Sequence, residues 1–447
     1  MNIDGTIFAP ASGKGRAGIS VIRLSGPAAG AALRNLCNED LPTPRQAKRT
    51  KLVNMQGDIL DDGLVLWFPS PASFTGEDVV ELHVHGGNAV INAILEALSI
   101  MPGLRPAEPG EFSRQAFENG KMDLTAAEGL ADLIEAETEA QRKQAQRQSR
   151  GELGRLYDGW RENLIKAQAL SEANIDFSDE DIPDDLTDEA IQIAVQTLEG
   201  IVKHLNDAHR GERLRAGLSL AIIGPPNAGK SCLLNRLAKR DVAIVSDIAG
   251  TTRDVIDVHL DLGGFPVIAA DTAGLREAGD RLETEGIRRA RERAEDADMK
   301  LAVFDAGDVK GAAALDPLTL ELIDSNTLVI LNKCDEPHSI LPDQVKNRPA
   351  LVLSAKTGEG VDTLLLALQA LASKLLAGDS EPSLTRYRHR DALNDCRRSL
   401  ERAIVAEESE LMGEDLRLAA RSLGRITGRI DVEDLLDVIF SKFCIGK

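Results

Sequence analysis

The sequence predicts a multidomain protein of mixed α/β and α class, in which an α/β domain is inserted into a helical domain that follows an α+β domain. Three observations predict this arrangement. Short β-like runs punctuated by Gly and Pro fill the amino-terminal part of the 447 residues. Apolar residues three and four apart then indicate helices, in a pattern that stops near Leu218 and returns near Ser383. Strand-like and helical runs alternate in between, which is typical of a parallel sheet with crossover helices.

The amino-terminal domain is predicted over residues 1–118. Its strand-like runs are ISVIRL, DGLVLWF and DVVELHVHGG, and PAEPGEF is a turn-rich segment after them. Short strands and turns of this kind favour a compact α+β domain. His83 and His85 share one face of the third run, but no third ligand lies near them in sequence, so packing on the strand face is favoured over a metal site.

The helical domain is predicted in two parts, residues 119–214 and 379–447. Amphipathic spacing with few helix breakers continues from about Asp123 to the end of the first part. The acidic run at residues 176–189 interrupts it and is interpreted as a solvated loop before a helix N-terminus, where carboxylates are favoured. Domain insertion is tolerated where chain ends lie close together. We therefore expect the two parts to pack as one discontinuous helical bundle.

The inserted α/β domain is predicted over residues 215–378, and its first strand leads into a phosphate-binding motif. GPPNAGKS, Gly224–Ser231, follows the apolar run LSLAIIG and precedes a helical stretch, as the motif G-x-x-x-x-G-K-[ST] requires. Consecutive backbone N–H groups can then curl around phosphates. Lys230 can reach the β and γ oxygens, and Ser231 can offer a hydroxyl to magnesium.

Three further motifs end strands of the same domain, in the order that a GTP site needs. DTAG, Asp271–Gly274, places an acid near the magnesium hydration shell and a glycine near the γ-phosphate. In NKCD, Asp335 can accept hydrogen bonds from the N1–H and 2-amino group of guanine, which adenine does not offer there. Ser354–Lys356 brings backbone near the guanine carbonyl. The four motifs together predict a Ras-like P-loop G domain that binds GTP rather than ATP.

The segment VSDIAGTTRD, residues 245–254, is the expected switch between the P-loop and DTAG. A threonine in it is expected to order the segment by contact with magnesium and the γ-phosphate. Leu275 follows DTAG, where Ras-like proteins have the glutamine that orients the attacking water. GTP hydrolysis therefore needs another group to orient the attacking water.

Composition excludes several classes of function. The formal charge of −20 argues against a chain that holds nucleic acid through generic basic stripes, so contact with RNA is expected to be local or shared with a partner. Five cysteines, odd in number and widely spaced, fit neither a disulfide framework nor a CxxC metal site and indicate a reducing cytoplasm. The amino terminus is not a secretory signal, and no stretch approaches the roughly 18 apolar residues of a membrane span. We expect a soluble, cytoplasmic protein.

Five motifs stand together in this chain: GPPNAGKS, VSDIAGTTRD, DTAGLREAGDRLETEGIRRA, PGEFSRQAFENGKMDL and the terminal FCIGK. Together they resemble the MnmE (TrmE) family of bacterial tRNA modification GTPases, over essentially the whole chain. The resemblance implies an amino-terminal domain like folate-dependent enzymes, a discontinuous helical domain and a G domain. It also implies a homodimer formed through the amino-terminal domains, with two G domains that meet face to face during hydrolysis.

The resemblance implies that potassium lies between the two G domains in place of an arginine finger and neutralises charge in the transition state. Its implied ligands are Asn227, Ser246, Ile248 and Thr251, and those of magnesium are Ser231 and Thr252. Ser246 stands where many members have Thr. Glu283 matches the family's water-orienting acid, although from local pattern alone it reads as an ordinary exposed helix glutamate.

The resemblance also implies a set of GTP-binding residues, with Lys230 and Glu283 as the catalytic candidates of the G domain. The implied contacts to GTP are made by Asn227, Ala228, Gly229, Lys230, Ser231, Cys232, Ser246, Thr251, Thr252, Asp271, Thr272, Ala273, Gly274, Asn332, Lys333, Asp335, Ser354, Ala355 and Lys356.

The folate that the resemblance implies is 5-formyltetrahydrofolate or a related one-carbon donor. The matching positions are Arg23, Glu81, Lys121 and the last residue, Lys447. A carboxylate can accept from the pterin's amino and N–H donors, and basic groups suit the glutamate tail. From sequence alone, each would pass as a surface charge.

The implied reaction adds a carboxymethylaminomethyl or aminomethyl group at carbon 5 of the wobble uridine of certain tRNAs. The family acts with a flavoprotein partner, MnmG (GidA), and GTP hydrolysis would drive G-domain association and a conformational change. A regulatory GTP switch in ribosome assembly is the alternative, but relatives of that kind usually carry a basic RNA-binding appendage. A folate-binding scaffold with a degenerate G domain is disfavoured because every nucleotide motif is intact.

The chain ends in FCIGK, which raises the question of what Cys444 does. The preceding DVEDLLDVIFSKF predicts a docked amphipathic helix. A prenylation box fits this ending poorly, and a redox or metal partner is not adjacent in sequence. A small buried thiol is the plainest interpretation. The resemblance makes Cys444 a catalytic candidate, with acid/base and nucleophilic roles equally open.

Overall fold

The computed structural model describes most of the chain in two compact units. The described residues are 5–13, 15–176, 186–240, 242–244, 257–270, 291–308, 315–337, 341–377, 382–430, 433–441 and 443–446. The first unit comprises Met1–Ala131, Gln148–Thr197 and Asp395–Lys447, and the second comprises Asp132–Arg147 and Leu198–Asn394. Each unit is built around its own sheet.

The sheet of the first unit is mostly antiparallel. Its strands are β1 (Thr6–Pro10), β2 (Ala17–Ser25), β3 (Lys48–Val53), β4 (Ile59–Phe68), β5 (Val79–Gly86) and β6 (Leu104–Pro106). They lie in the order β3-β4-β5-β2-β1-β6, and only β1 and β6 pair in parallel. The three strand-like runs of the amino-terminal sequence are thus confirmed as β2, β4 and β5.

The two faces of this sheet have different surroundings. One face carries residues such as Ile22, Leu24, Leu82 and Val84, which form a core with the first two helices. Side chains alternate along strands, so the neighbouring residues lie on the opposite face. There Arg23 stands beside Glu81 in the strand register. This opposite side is called the outer face of the first sheet below.

The helices were predicted from apolar spacing, and the structure confirms helices in each predicted part. The helices whose bounds the described residues give in full are α1 (Ala29–Cys37), α2 (Asn88–Ser99), α3 (Glu111–Glu118), α4 (Leu124–Glu135), α5 (Glu139–Ser149), α6 (Glu152–Asp176), α7 (Leu186–Leu205), α8 (Arg210–Ala216), α9 (Lys230–Ala238), α10 (Pro317–Glu321), α11 (Val361–Leu376), α12 (Tyr387–Ile404), α13 (Ser409–Thr427) and α14 (Glu433–Phe440).

The two sequence parts of the helical region meet where α6 packs along α13. Ser171 of α6 donates a hydrogen bond to the carbonyl oxygen of Ser409 over 3.1 Å, and Asp158 pairs with Arg429 just beyond α13 over 2.7 Å. Leu436 and Phe440 of α14 are buried against Leu124. The tail segment before FCIGK is therefore a docked helix, as its pattern predicts.

One predicted helical run is divided in two by a capping box. Thr138 accepts from the backbone N–H of Gln141 over 3.5 Å, and the Gln141 side chain accepts from the backbone N–H of Thr138 over 3.1 Å. This reciprocal pair is the T-x-x-Q signature of a helix start. It begins α5 at Glu139, shortly after α4 ends at Glu135.

The sheet of the second unit is parallel at its centre. Its strands are β7 (Leu218–Ile223), β8 (Asp257–Leu262), β9 (Phe265–Ala270), β10 (Met299–Asp305), β11 (Thr327–Asn332), β12 (Gln344–Val345) and β13 (Arg348–Val352). The order is β12-β13-β11-β10-β7-β9-β8, and the two edge strands β8 and β12 pair antiparallel. The predicted parallel sheet is confirmed, whereas the antiparallel edges were not predicted.

The central strands of this sheet are covered on both faces. Leu301 and Val303 of β10 belong to one core, and Ala302 and Phe304 of the same strand belong to another on the opposite side. Burial of both faces explains why these strands read as continuous apolar runs. It also leaves the carboxyl ends of the strands as the edge where polar motifs collect. No helix in the described ranges is long and apolar enough to cross a membrane.

Candidate functional site

The P-loop connects β7 to α9 through backbone conformations that only certain residues adopt easily. Gly224 has φ +150°, and a Cβ there would lie 2.2 Å from the carbonyl oxygen of Val303. Asn227 has φ +64°, a left-handed conformation that asparagine tolerates better than most residues. Gly229, with φ +93°, precedes the first residue of α9. The loop can therefore curl tightly against β10.

Lys230 lies at the start of α9 and points back over the loop. Its ammonium group donates to the carbonyl oxygens of Gly224 and Pro225, each over 2.8 Å. Ser231 and Cys232 follow in the first turn and are exposed. Unpaired N–H groups and the dipole make a helix N-terminus favourable for phosphate, so the loop and helix form a phosphate subsite.

Asn332, at the end of β11, joins the phosphate subsite to the base subsite. Its side-chain amide donates to the carbonyl oxygen of Ala228 over 2.8 Å and accepts from the backbone N–H of Ala355 over 2.9 Å. Asn332 is 1% exposed. A buried amide with both groups paired holds two loops in one geometry.

Asp335 is the predicted guanine acceptor, and the structure supplies the groups that keep it ionised. The hydroxyl of Ser354 donates to its carboxylate and is the main reason why the pKa of Asp335 lies below its ordinary value; the charges of Lys356 and Lys333 act in the same direction. Lys333 has φ +67°, and its ammonium group lies 2.5 Å from Asp305, whose hydrogen bond raises the pKa of Lys333. The base subsite therefore presents an ionised acceptor.

Several predicted G-domain residues lie outside the described residues. They are Ser246, Ile248, Thr251, Thr252, Asp271, Thr272, Ala273, Gly274 and Glu283. In the sequence, the switch residues precede β8, which begins at Asp257, and the DTAG residues follow β9, which ends at Ala270. Lys447, the fourth predicted folate residue, also lies outside the described range.

Arg23 and Glu81 form an ion pair on the outer face of the first sheet. Arg23 donates from Nη2 and Nε to the same carboxylate oxygen, Oε1, over 2.8 and 3.2 Å. The guanidinium also lies 5.4 Å from the ring centroid of Phe74 and 5.9 Å from that of Phe112. The side chains of Arg23 and Glu81 are 19% and 20% exposed, so the ion pair lies at the edge of the solvent beside two aromatic rings.

Lys121 follows α3 and is exposed. Its backbone N–H donates to the carbonyl oxygen of Ala116 over 2.8 Å, and within the described residues no side-chain hydrogen bond or ion pair joins it to Arg23 or Glu81. His83 Nε2 lies 3.4 Å from Glu81, and His85 Nδ1 lies 2.7 Å from Asp61. Over the ranges described, no group of three His, Cys, Asp or Glu could hold a metal.

The carboxyl-terminal tail packs onto the amino-terminal domain. Gly446 has φ +99°, and a Cβ there would lie 2.1 Å from the carbonyl oxygen of Pro10. The carbonyl oxygen of Cys444 accepts from the backbone N–H of Gly110 over 3.5 Å. The Cys444 side chain is exposed, so the interpretation as a small buried thiol is wrong. Pro10 is in β1, where Ala9 pairs with Arg23, so the tail lies near the Arg23 strand.

The parallel sheet, the P-loop and the polar motifs at the strand ends define the class of P-loop nucleotide-binding proteins, in which Asp335 is the predicted acceptor for guanine. Comparison with known proteins is more specific. The family model "MnmE helical domain" matches residues 124–444, and "GTP-binding protein TrmE N-terminus" matches residues 6–121.

Curated relatives match over nearly the whole chain. A tRNA modification GTPase MnmE of Paramagnetospirillum magneticum is 56% identical over 442 residues, covering 99% of this chain and 99% of the relative. One of Rhodospirillum rubrum is 53% identical and covers both chains fully. The human mitochondrial 5-taurinomethyluridine-[tRNA] synthase subunit GTPB3 is 49% identical, over 99% of this chain and 93% of its own. The chain belongs to the MnmE (TrmE) family of tRNA modification GTPases and is a GTP hydrolase.

Sequence reasoning missed three residues that surround these sites. Phe74 and Phe112 flank Arg23, and each comes from a different part of the chain. Arg236, in the last turn of α9, donates to the carbonyl oxygens of Ala355 and Lys356. Phe112 lies within the motif PGEFSRQAFENGKMDL, but nothing in the motif shows that its ring meets Arg23. Phe74 and Arg236 lie outside every motif, and their contacts depend on which distant segments the fold brings together.

Proposed function

We propose that this chain is the GTP-hydrolysing component that, with the flavoprotein MnmG (GidA), installs a carboxymethylaminomethyl or aminomethyl group at carbon 5 of the wobble uridine of certain tRNAs. The observation that carries the proposal is full-length membership in the family, with one model on the amino-terminal part and one on the rest. The human relative is itself named for a modified uridine in tRNA. The nucleotide site, with its phosphate and base subsites, supports the GTP-hydrolysing part of this function.

Potassium activation is the second part of the proposal. Asn227 supports it, because this exposed, left-handed residue stands at the tip of the P-loop, with its side-chain oxygen available as a ligand. Ser246, Ile248 and Thr251 would complete the site, and Ser231 with Thr252 would hold magnesium. A bound potassium ion would supply positive charge opposite the charge that develops on the phosphates. Glu283 is proposed to orient the attacking water.

A folate site around Arg23 and Glu81 is the third part. The donor set fits a pterin, because a partly exposed carboxylate and a guanidinium lie beside two aromatic rings. Glu81 uses Oε1 for Arg23, and its oxygens keep lone pairs for amino and N–H donors. Lys121, Cys444 and Lys447 are proposed to act at the same site, and the packing of Gly446 on Pro10 brings the tail toward it. The folate would supply a one-carbon unit.

A homodimer through the amino-terminal domains is the fourth part. The outer face of the first sheet supports it, because Ile19 is 67% exposed and Leu64 is 43% exposed. Strand register places them on the face of Arg23 and Glu81, since Leu64 pairs with His83 and Ile19 pairs with His85. Exposed apolar side chains gathered on one face favour association. A second copy would cover them and enclose the folate site.

Shared binding of tRNA with MnmG is the fifth part, together with a cytoplasmic location. A formal charge of −20 disfavours a long phosphate-binding surface on this chain alone. A partner with more basic surface would supply it. GTP hydrolysis would then work by bringing the two G domains together and changing the conformation of the complex.

The deciding experiment is nucleoside analysis of tRNA from cells that lack the gene. Loss of the C5-modified wobble uridine, restored by the wild-type gene but not by an Asp335→Asn variant, is the expected result. Unchanged wobble nucleosides in the deletion strain would reject the modification function. They would leave GTP hydrolysis intact and would favour a regulatory switch instead.

Potassium dependence is tested by GTP turnover in equal concentrations of potassium and sodium. We expect turnover in potassium to be about 10²-fold faster, the effect of one charge-stabilising group in a transition state. Asn227→Ala should lose the potassium stimulation, and Asn235→Ala, an exposed asparagine of α9, should keep it. Equal turnover in both salts would exclude potassium as the activating group.

Folate binding is tested with Glu81→Gln and a matched control. Asp62→Asn removes a carboxylate of the same sheet that pairs with Arg49 over 2.8 Å. Calorimetry with 5-formyltetrahydrofolate should show affinity reduced about tenfold or more in Glu81→Gln, the loss of a charge-assisted hydrogen bond. Asp62→Asn should bind like the wild type. Equal affinity of all three proteins would place the folate elsewhere.

A further inference from the structure

Arg236 reaches from the helix after the P-loop to the loop that carries Ser354, Ala355 and Lys356. Its Nε–H donates to the carbonyl oxygen of Ala355 over 2.9 Å, and its Nη2 donates to the carbonyl oxygen of Lys356. The planar guanidinium thus holds two consecutive carbonyl groups with donors fixed relative to each other. None of the nucleotide motifs includes this residue.

The rest of the loop is fixed by its own hydrogen bonds. The backbone N–H of Gly358 donates to the carbonyl oxygen of Ser354 over 2.8 Å, and that of Thr357 donates to the Ser354 hydroxyl over 3.1 Å. The N–H of Ala355 donates to Asn332 over 2.9 Å. The peptide group between Ala355 and Lys356 is therefore the one whose orientation depends on Arg236.

That peptide group carries the donor that the guanine edge still needs. A trans peptide is planar, with its carbonyl and N–H on opposite sides. When Arg236 fixes the carbonyl of Ala355, it also fixes the direction of the N–H of Lys356. Within the described residues, no backbone hydrogen bond from this N–H is made to the protein.

Guanine presents three groups along its pairing edge. Asp335 accepts from N1–H and from the 2-amino group, and these contacts leave the 6-carbonyl, an acceptor, without a donor. The N–H of Ala355 is engaged by Asn332. We propose that Arg236 is a positioning residue for guanine recognition, which holds the Ala355–Lys356 peptide so that the N–H of Lys356 donates to the 6-carbonyl of the base.

This role concerns nucleotide selection alone and is independent of the tRNA chemistry. The guanidinium of Arg236 donates to carbonyl oxygens of the loop, so its effect on the base is exerted through the peptide that it holds. An arginine that only stabilised α9 would change the affinity for all nucleotides by the same factor. Positioning of the Lys356 N–H predicts an effect that depends on the atom at position 6 of the purine.

The test compares three diphosphates with the full-length chain by calorimetry. GDP carries the 6-carbonyl and the 2-amino group; 6-thio-GDP replaces the 6-oxygen with a larger, poorer acceptor; IDP keeps the 6-oxygen and lacks the 2-amino group. Arg236→Ala should raise the Kd of GDP about tenfold, as expected for one lost hydrogen bond in a buried site. IDP should weaken by the same factor, and 6-thio-GDP should weaken clearly less.

Two controls separate positioning from general damage. Arg240→Ala removes a neighbouring arginine that pairs with Asp362 over 2.9 Å and does not contact the Ser354–Lys356 loop. It should leave all three affinities unchanged. Arg236→Lys keeps one donor and should give an intermediate loss for GDP.

Turnover supplies a second readout. Arg236→Ala should raise the KM for GTP and leave kcat unchanged, because the phosphate subsite is untouched. Equal weakening of GDP and 6-thio-GDP by Arg236→Ala would overturn the proposal, and so would unchanged affinity for GDP.

Discussion

The side-chain amide of Asn332 donates a hydrogen bond of 2.8 Å to the carbonyl oxygen of Ala228, so the residue that ends β11 holds the P-loop in place. The same amide accepts from the N–H of Ala355 over 2.9 Å. The phosphate and base subsites therefore share one buried side chain.

Asn332→Ala should weaken nucleotide binding by about a hundredfold, because two hydrogen bonds of about 1–1.5 kcal/mol each are lost. It should also lower the midpoint of thermal unfolding, since the N–H of Ala355 and the carbonyl of Ala228 lose their partner. Calorimetry with GDP and a thermal scan measure both effects. Asn235→Ala, on the exposed side of α9, is the control and should change neither. Wild-type affinity in Asn332→Ala would show that the bridge has no part in binding.

Asp335→Asn should change the base preference from guanine to xanthine. The carboxylate accepts from N1–H and the 2-amino group, whereas an amide can donate to the 2-carbonyl of xanthine. We expect the affinity for GDP to fall about a hundredfold or more and that for XDP to rise. Competition between the two diphosphates measures the preference. A variant that weakens both to the same extent would contradict the assignment of Asp335 as the base acceptor.

The sequence reveals those parts of the site that depend on local order. GPPNAGKS and NKCD each follow an apolar run, and burial on both sheet faces makes such runs readable as strands. Gly224 and Gly229 in the P-loop have positive φ, a conformation that glycine adopts without steric cost, so these positions are also readable locally. The inserted parallel sheet was predictable from these features alone.

The remaining features depend on distance along the chain. Asn332 meets Ala228 across 104 positions, and Arg236 meets Ala355 across 119, so strand order decides both contacts. The edge strand β8 runs antiparallel because a tight turn at Gly263 and Gly264 connects it directly to β9. The capping box at Thr138 is a local T-x-x-Q signal, and the prediction of one helical run over this segment overlooks it.

Gly446→Ala should displace the carboxyl-terminal tail from the amino-terminal domain. A Cβ would lie 2.1 Å from the carbonyl oxygen of Pro10, in a backbone with φ +99°. If the tail belongs to the folate site, the affinity for 5-formyltetrahydrofolate falls while affinity for GDP stays unchanged. Gly57→Ala is the matched control, since Gly57 has φ +87° and no atom within 4 Å of an added Cβ. Unchanged folate affinity in Gly446→Ala would separate the tail from that site.

The five cysteines should divide by alkylation rate into exposed and protected groups. Cys232 and Cys444 are exposed, whereas burial raises the pKa of Cys37 to about 11 and also raises the pKa values of Cys334 and Cys396. The thiolate is the nucleophile, so at pH 8 only about a thousandth of Cys37 is reactive, and its rate should keep rising until about pH 11. A short pulse of iodoacetamide followed by peptide mass spectrometry measures all five. GDP should protect Cys232 without affecting Cys444, and 5-formyltetrahydrofolate should do the reverse, so each ligand is the control for the other. Protection of Cys444 by GDP instead would contradict a folate site at the tail.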